Sequence, residues 1–133
     1  MRGRARIKFR FVFASGPSGS KTECFLCGQS FPVKGVRIAL HAKDGEKVLA
    51  DDATPICADC IFSGPKQVAE RARLNALRFR VKAPKMGDSD EQELYLLSAD
   101  ILETIASVLE KMEDFSRVES YRMAAKVAEA YIN

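Results

Sequence analysis

The sequence has a single histidine, His41, and that shortage excludes a good deal. A Ser–His–Asp constellation would have to be built on this one imidazole, and no order of residues around it supports one. Long apolar runs are lacking too: no stretch approaches the roughly 20 apolar residues of a membrane span. The basic N-terminus is not followed by an apolar run of about 7–15 residues, so no secretory leader is expected and the cytoplasm is the expected location. A phosphate-binding loop is incomplete. Gly16-Pro17-Ser18-Gly19-Ser20-Lys21-Thr22 follows a strand-like segment, but no glycine precedes the lysine and Glu23-Cys24 does not start a helix. No paired carboxylate sits in a recognisable motif, and Asp51-Asp52 reads as a loop acid pair. Neither an enzyme, nor a small-molecule substrate, nor a membrane partner is expected.

A strong net charge is also missing, since 21 Lys+Arg against 18 Asp+Glu leave +3 over 133 residues. The near-balance hides a sorting along the chain. Residues 1–23 hold six cations and one acid, and residues 61–86 hold seven and one. Residues 24–60 hold four cations and five acids, and residues 87–133 hold four and eleven. Two basic segments and one acidic tail imply separate surfaces with separate partners, or acidic and basic segments packed on each other. At 47% hydrophobic and 29% charged, the composition is that of a folded chain, neither collagenous nor disordered in bulk.

Hydrophobic periodicity assigns the elements. Ile7, Phe9, Phe11 and Phe13 alternate with Arg4, Arg6, Lys8 and Arg10, which predicts a half-buried strand with a basic outer row. Ala14 to Ser20 reads as a linker. Residues 36–50 read as a hairpin turning at Asp44-Gly45. Ser63-Gly64-Pro65 marks a helix start, and the helix runs to about Arg80 with a Val68, Ala72, Ala76, Phe79 stripe. Ser89-Asp90-Glu91-Gln92 has capping-box form, as does Ser116-Arg117-Val118-Glu119. Between them Leu94, Leu97, Ile101, Ile105, Val108, Met112 and Phe115 recur at helical spacing. After them Val118, Tyr121, Ala125, Ala128 and Ile132 do the same, so an antiparallel C-terminal helical hairpin is expected.

All four cysteines occur in two C-x-x-C pairs, Cys24 with Cys27 and Cys57 with Cys60, 29 residues apart. Two residues between thiolates let both sulfurs reach one metal from a tight turn, and two such pairs complete a tetrahedron. One zinc ion suits four soft thiolates. An iron–sulfur centre uses the same ligands, whereas disulfides need an oxidising compartment and a redox pair needs one C-x-x-C in a βαβ setting. Gly28 after the first pair gives the C-x-x-C-G of a zinc knuckle. No glycine follows Cys60, so the second pair reads as a helical turn. Knuckle, hairpin and a cysteine pair at a helix start are the order of a treble clef. Folds of that kind can host HNH nucleases, but the D-H pair is missing here, and His41 falls on the outward side of a predicted strand.

Cys24-Phe25-Leu26-Cys27-Gly28-Gln29-Ser30 and Pro55-Ile56-Cys57-Ala58-Asp59-Cys60-Ile61 resemble the zinc-binding domain of the Clp protease unfoldase over about residues 23–75. That family carries C-x-x-C-G-K-S and a later Y-I-C-D-E-C-[IV]. The insert between the pairs is longer here, and no ATPase domain follows. The resemblance implies a dimeric treble-clef module that recruits substrates and adaptors, and does not imply unfoldase activity.

The expected fold is therefore α+β. A basic strand and linker occupy residues 1–22, a four-cysteine zinc module with a basic helix residues 23–83, and an acidic helical hairpin residues 84–133. Two functions are open. Arg4, Arg6, Lys8 and Arg10, with Lys66, Arg71, Arg73, Arg78, Arg80 and Lys82, form rows that suit the phosphates of DNA or RNA, as in a nucleic-acid-associated subunit of a larger assembly. Alternatively the module is a protein-interaction adaptor whose Leu94, Leu97, Ile101, Ile105 and Val108 dock a protein partner or a second copy.

Overall fold

The computed structural model describes residues 7–16, 19, 21–51 and 54–132. Arg4 and Arg6 lie outside the described residues. The period-two segment forms strand β1 (Ile7–Gly16), which pairs antiparallel with β4 (Gly35–Asp44) along its whole length, Ile7 opposite Asp44 and Gly16 opposite Gly35. Strand β5 (Lys47–Ala50) returns on the other side of β4 across a turn in which Gly45 has φ 63°. The sheet order is β1-β4-β5, so the N-terminal strand joins the hairpin between the cysteine pairs. Two shorter strands, β2 (Lys21–Glu23) and β3 (Ser30–Pro32), pair on either side of the first cysteine pair.

The helices follow. The short α1 (Ala58–Ser63) ends at Gly64, whose φ of 92° breaks the helix, and α2 (Pro65–Lys82) begins at once with proline in its first turn. A 3-10 turn, Ala83–Lys85, leads to α3 (Ser89–Leu109). Asp88 caps α3 by accepting from the Asp90 N–H at 2.9 Å, one residue earlier than the Ser89 box predicts. The last helix is α4 (Tyr121–Ile132). Among the described residues no helix is long and apolar enough to cross a membrane.

The expected C-terminal hairpin is not formed by α3 and α4. Helix α3 lies along α2, and α4 packs on α1, β1 and β4. The charges explain part of the pairing. Arg73 meets Glu110 at 2.9 Å, and Arg80 meets Asp100 at 2.6 Å and also Glu103. Lys66 donates to the terminal carbonyls of Glu110 and Met112 at 3.1 and 2.9 Å, where a cation suits the end of a helix. The basic segment thus packs on the acidic one. Exposed pairs of this kind contribute at most about 1 kcal/mol each, so they set register more than stability. Apolar packing holds the helices. Ala99, Leu102, Ile105, Ala106 and Leu109 on α3 and Val68, Ala69, Ala72 and Ala76 on α2 are fully buried.

The second capping-box sequence does not cap a helix either. Ser116 is held in a turn by Asp114, its N–H and hydroxyl donating to one carboxylate oxygen at 2.9 and 2.6 Å. Residues beyond it run through two turns, closed by the Val118 N–H on the Phe115 carbonyl and the Tyr121 N–H on the Val118 carbonyl, and touch β1 at one bridge, where the Glu119 carbonyl accepts from the Phe11 N–H at 3.0 Å. The bridge and the positive φ of 67° at Ser120 keep these residues out of a helix, so α4 starts only at Tyr121. The segment brings Phe115 and Tyr121 onto Phe11, with ring centroids 5.8 and 6.1 Å away. Tyr131 anchors the far end of α4: its hydroxyl donates to the Val36 carbonyl and accepts from the Ile38 N–H at 3.2 Å. One apolar cluster draws Phe11, Leu26, Ile38, Leu40, Ile61, Leu102 and Phe115 together.

Candidate metal centre

Each half of the cysteine set is placed by local geometry. The first pair lies in the turn between β2 and β3. The Gly28 N–H closes it on the Cys24 carbonyl at 2.8 Å, and the Cys27 N–H points at the Cys24 sulfur at 3.5 Å. Gly28 has φ 80°, and a Cβ there would come within 2.7 Å of the Asn75 side-chain oxygen, so only glycine fits. In the second pair Cys57 is the extended residue before α1 (φ −88°, ψ 164°), and Cys60 lies three residues on, on the same side of the first turn. Backbone bonds clamp the halves. The Phe25 N–H donates to the Pro55 carbonyl at 2.7 Å, and the Ile56 N–H donates to the Ile38 carbonyl on β4 at 3.0 Å.

The result is a four-sulfur cage. Cys24 and Cys60 are 3.7 Å apart at sulfur, as are Cys27 and Cys57, and all four sulfurs lie within 4.8 Å of one another. Thiolates about 2.3 Å from a zinc ion would form a tetrahedron with edges of about 3.8 Å. A disulfide needs about 2.05 Å, and all four cysteines are free thiols. The donor set therefore fits one tetrahedral metal ion. Hydrogen bonds among the four thiols push the pKa values of Cys24 and Cys60 up and those of Cys27 and Cys57 down. A dication entering the cage displaces the retained protons.

Helix α2 supplies a second layer around the cage. Asn75, the buried polar side chain among the described residues, donates to the Phe25 carbonyl at 2.9 Å. Arg78 donates to the Cys27 carbonyl at 3.0 Å. Arg71 points at the Cys60 sulfur from 4.0 Å. Burial disfavours its charge, but the bond to Cys60 and the attraction of Cys60, Cys27 and Asp59 together outweigh that, and its pKa is raised. Four thiolates around a dication leave a net charge of −2, and a guanidinium beside it offsets part of that charge. Sequence reasoning grouped Arg71 and Arg78 with a phosphate-binding row. The only signal for their role is that residues 71, 75 and 78 share one helix face.

The remaining expected site residues are spread over the surface. Lys66, Arg73 and Arg80 are engaged with α3, as described above. Lys82 is exposed at the end of α2. Lys8 and Arg10 are exposed on the outer face of β1, directly opposite Lys43 and His41 in register. Of the α3 stripe, Leu94 is 60% and Leu97 53% exposed, Ile101 and Val108 are half-buried, and Ile105 belongs to the core. Comparison with protein-family models, with curated proteins and with solved structures finds no match for this chain.

Proposed function

We propose that the chain is a non-catalytic, zinc-stabilised module of treble-clef type that associates with nucleic acid inside a larger assembly. The sulfur–sulfur separations of 3.7 Å carry the zinc reading, because they match the edge of one tetrahedral site. In an iron cluster, thiolates on different irons are spread by the iron–iron separation, which a 4.8 Å limit does not accommodate. Knuckle, hairpin and helix-borne second pair follow each other in treble-clef order. Four protein ligands leave no open position on the metal, which is the arrangement of a structural site. The four free thiols suit a reducing compartment such as the cytoplasm.

The nucleic-acid half of the reading rests on the strand cations. Lys8, Arg10 and Lys43 share the outer face of the β1–β4 pair, and Arg4 and Arg6 continue the same alternation in the sequence. The helical arginines support it less, since they bind the zinc knuckle and α3. Two measurements test the proposal. Metal analysis of the native protein should find one zinc per chain, and iron or no metal in a folded chain overturns the first half. Titration with labelled DNA and RNA at several salt concentrations should give a linear log–log decline, and no binding at low salt overturns the second.

A second reading, a protein-interaction adaptor, is favoured by the exposed Leu94 and Leu97 on α3 and by the resemblance to the unfoldase zinc domain. A protein that binds no nucleic acid but dimerises, and loses the dimer on Leu97→Glu, would select it.

A further inference from the structure

The outer face of the sheet holds a depression lined by Lys8, Phe9, Arg10, His41, Lys43 and Glu119. Its residues come from three separate stretches. Register places Lys8 opposite Lys43 and Arg10 opposite His41, so three obligate cations and an imidazole donor converge on a two-by-two grid. The fourth charged group is of opposite sign. Glu119 is carried there by the turn segment before α4 and fixed at a single bridge to β1, through the Phe11 N–H bond to its own carbonyl. Its carboxylate stands 3.9 Å from the Arg10 guanidinium. Both side chains are more than half exposed, so the pair is weak and open to exchange.

A carboxylate seated among cations offers what a phosphodiester oxygen offers, an anionic acceptor for lysine ammonium and arginine fork donors. From this placement we infer that the depression is the phosphate-binding site of the module. Glu119 acts as an internal counter-ion that nucleic-acid phosphate displaces from Arg10. The inference rests on the nucleic-acid reading above and adds the ligand-contacting set, Lys8, Arg10, His41 and Lys43, and a residue that restrains it. Binding then exchanges one ion pair for another: Arg10 leaves Glu119 for a phosphate, and Glu119 turns to solvent. Affinity is therefore set below what the cations alone would give.

The test uses labelled single-stranded DNA and RNA on the full, zinc-loaded chain. Glu119→Gln keeps the backbone bond to Phe11 and should leave thermal unfolding and zinc content unchanged. It should tighten binding about three- to five-fold at low salt, the range set by an exposed ion pair. In an Arg10→Gln background the same change should give a smaller gain, because the pair no longer exists. Lys43→Gln should weaken binding and reduce the salt slope by about one. If wild type binds and Glu119→Gln binds no tighter, the counter-ion role is overturned while the nucleic-acid reading stands. An undiminished gain without Arg10 also overturns the exchange, leaving only a general charge effect. If neither protein binds, the nucleic-acid reading itself fails.

Discussion

The sulfurs of Cys24 and Cys60 lie 3.7 Å apart although 36 positions separate the residues in the chain. Four thiolates at such spacing would repel one another, and a bound dication, as proposed above, turns that repulsion into attraction. Structural zinc supplies much of the folding free energy of a unit this small. Cys57→Ser should therefore abolish stoichiometric zinc binding and lower the melting temperature markedly. Loss of amide protection in hydrogen exchange should centre on residues 24–62. A Cys57→Ser protein with unchanged zinc content and melting temperature would contradict the four-ligand site.

Acid should release the metal. Zinc in the proposed site would hold all four sulfurs as thiolates, below the ordinary thiol pKa of about 8.5. Each sulfur then contributes stability that is fully present above that value and is lost as pH falls and protons compete for the sulfurs. Zinc captured by a chromogenic chelator should rise steadily between about pH 7 and pH 4, with the melting temperature falling in step. Metal content independent of pH over that range would argue against thiolate ligation.

Tyr131→Phe removes a hydroxyl that makes two backbone bonds, to the Val36 carbonyl and from the Ile38 N–H. The ring and its contact with Phe31, at 5.9 Å between centroids, remain. The expected loss is about 1–3 kcal/mol in urea unfolding, because two groups at the edge of β4 lose their partner. An unchanged midpoint would show that α4 is held by apolar packing alone.

Leu102 and Leu97 lie five residues apart on α3 and should behave oppositely. Leu102 is fully buried, so Leu102→Ala should cost about 2–5 kcal/mol. Leu97 is 53% exposed, and Leu97→Ala should change stability by no more than about 0.5 kcal/mol. Equal losses at the two positions would mean that Leu97 is covered in solution, as in a dimer.

Strand β1 and the hairpin were legible because alternation leaves one reading: Phe11 in, Arg10 out. The cysteine cage was legible because C-x-x-C spacing is a local constraint on a turn. What α3 packs against was not. Leu94, Leu97, Ile101 and Val108 and the buried Ala99, Leu102, Ile105, Ala106 and Leu109 both recur at helical spacing. Hydrophobicity favours the leucines, whereas close approach to α2 favours the alanines. The Ser116–Glu119 pattern misled for a related reason: its conformation is set by β1, more than a hundred residues earlier, and no local signal reports that contact. Glu119 escaped notice as a site residue for the same cause.

Strand β4 belongs to two systems at once. Its Ile38 carbonyl receives the Ile56 N–H just before Cys57, and its His41 and Lys43 stand opposite Arg10 and Lys8 of β1. If the proposed zinc and phosphate sites both hold, metal occupancy and anion affinity are coupled quantities. On the proposed function, the concentration of free zinc would become a term in the apparent dissociation constant for nucleic acid.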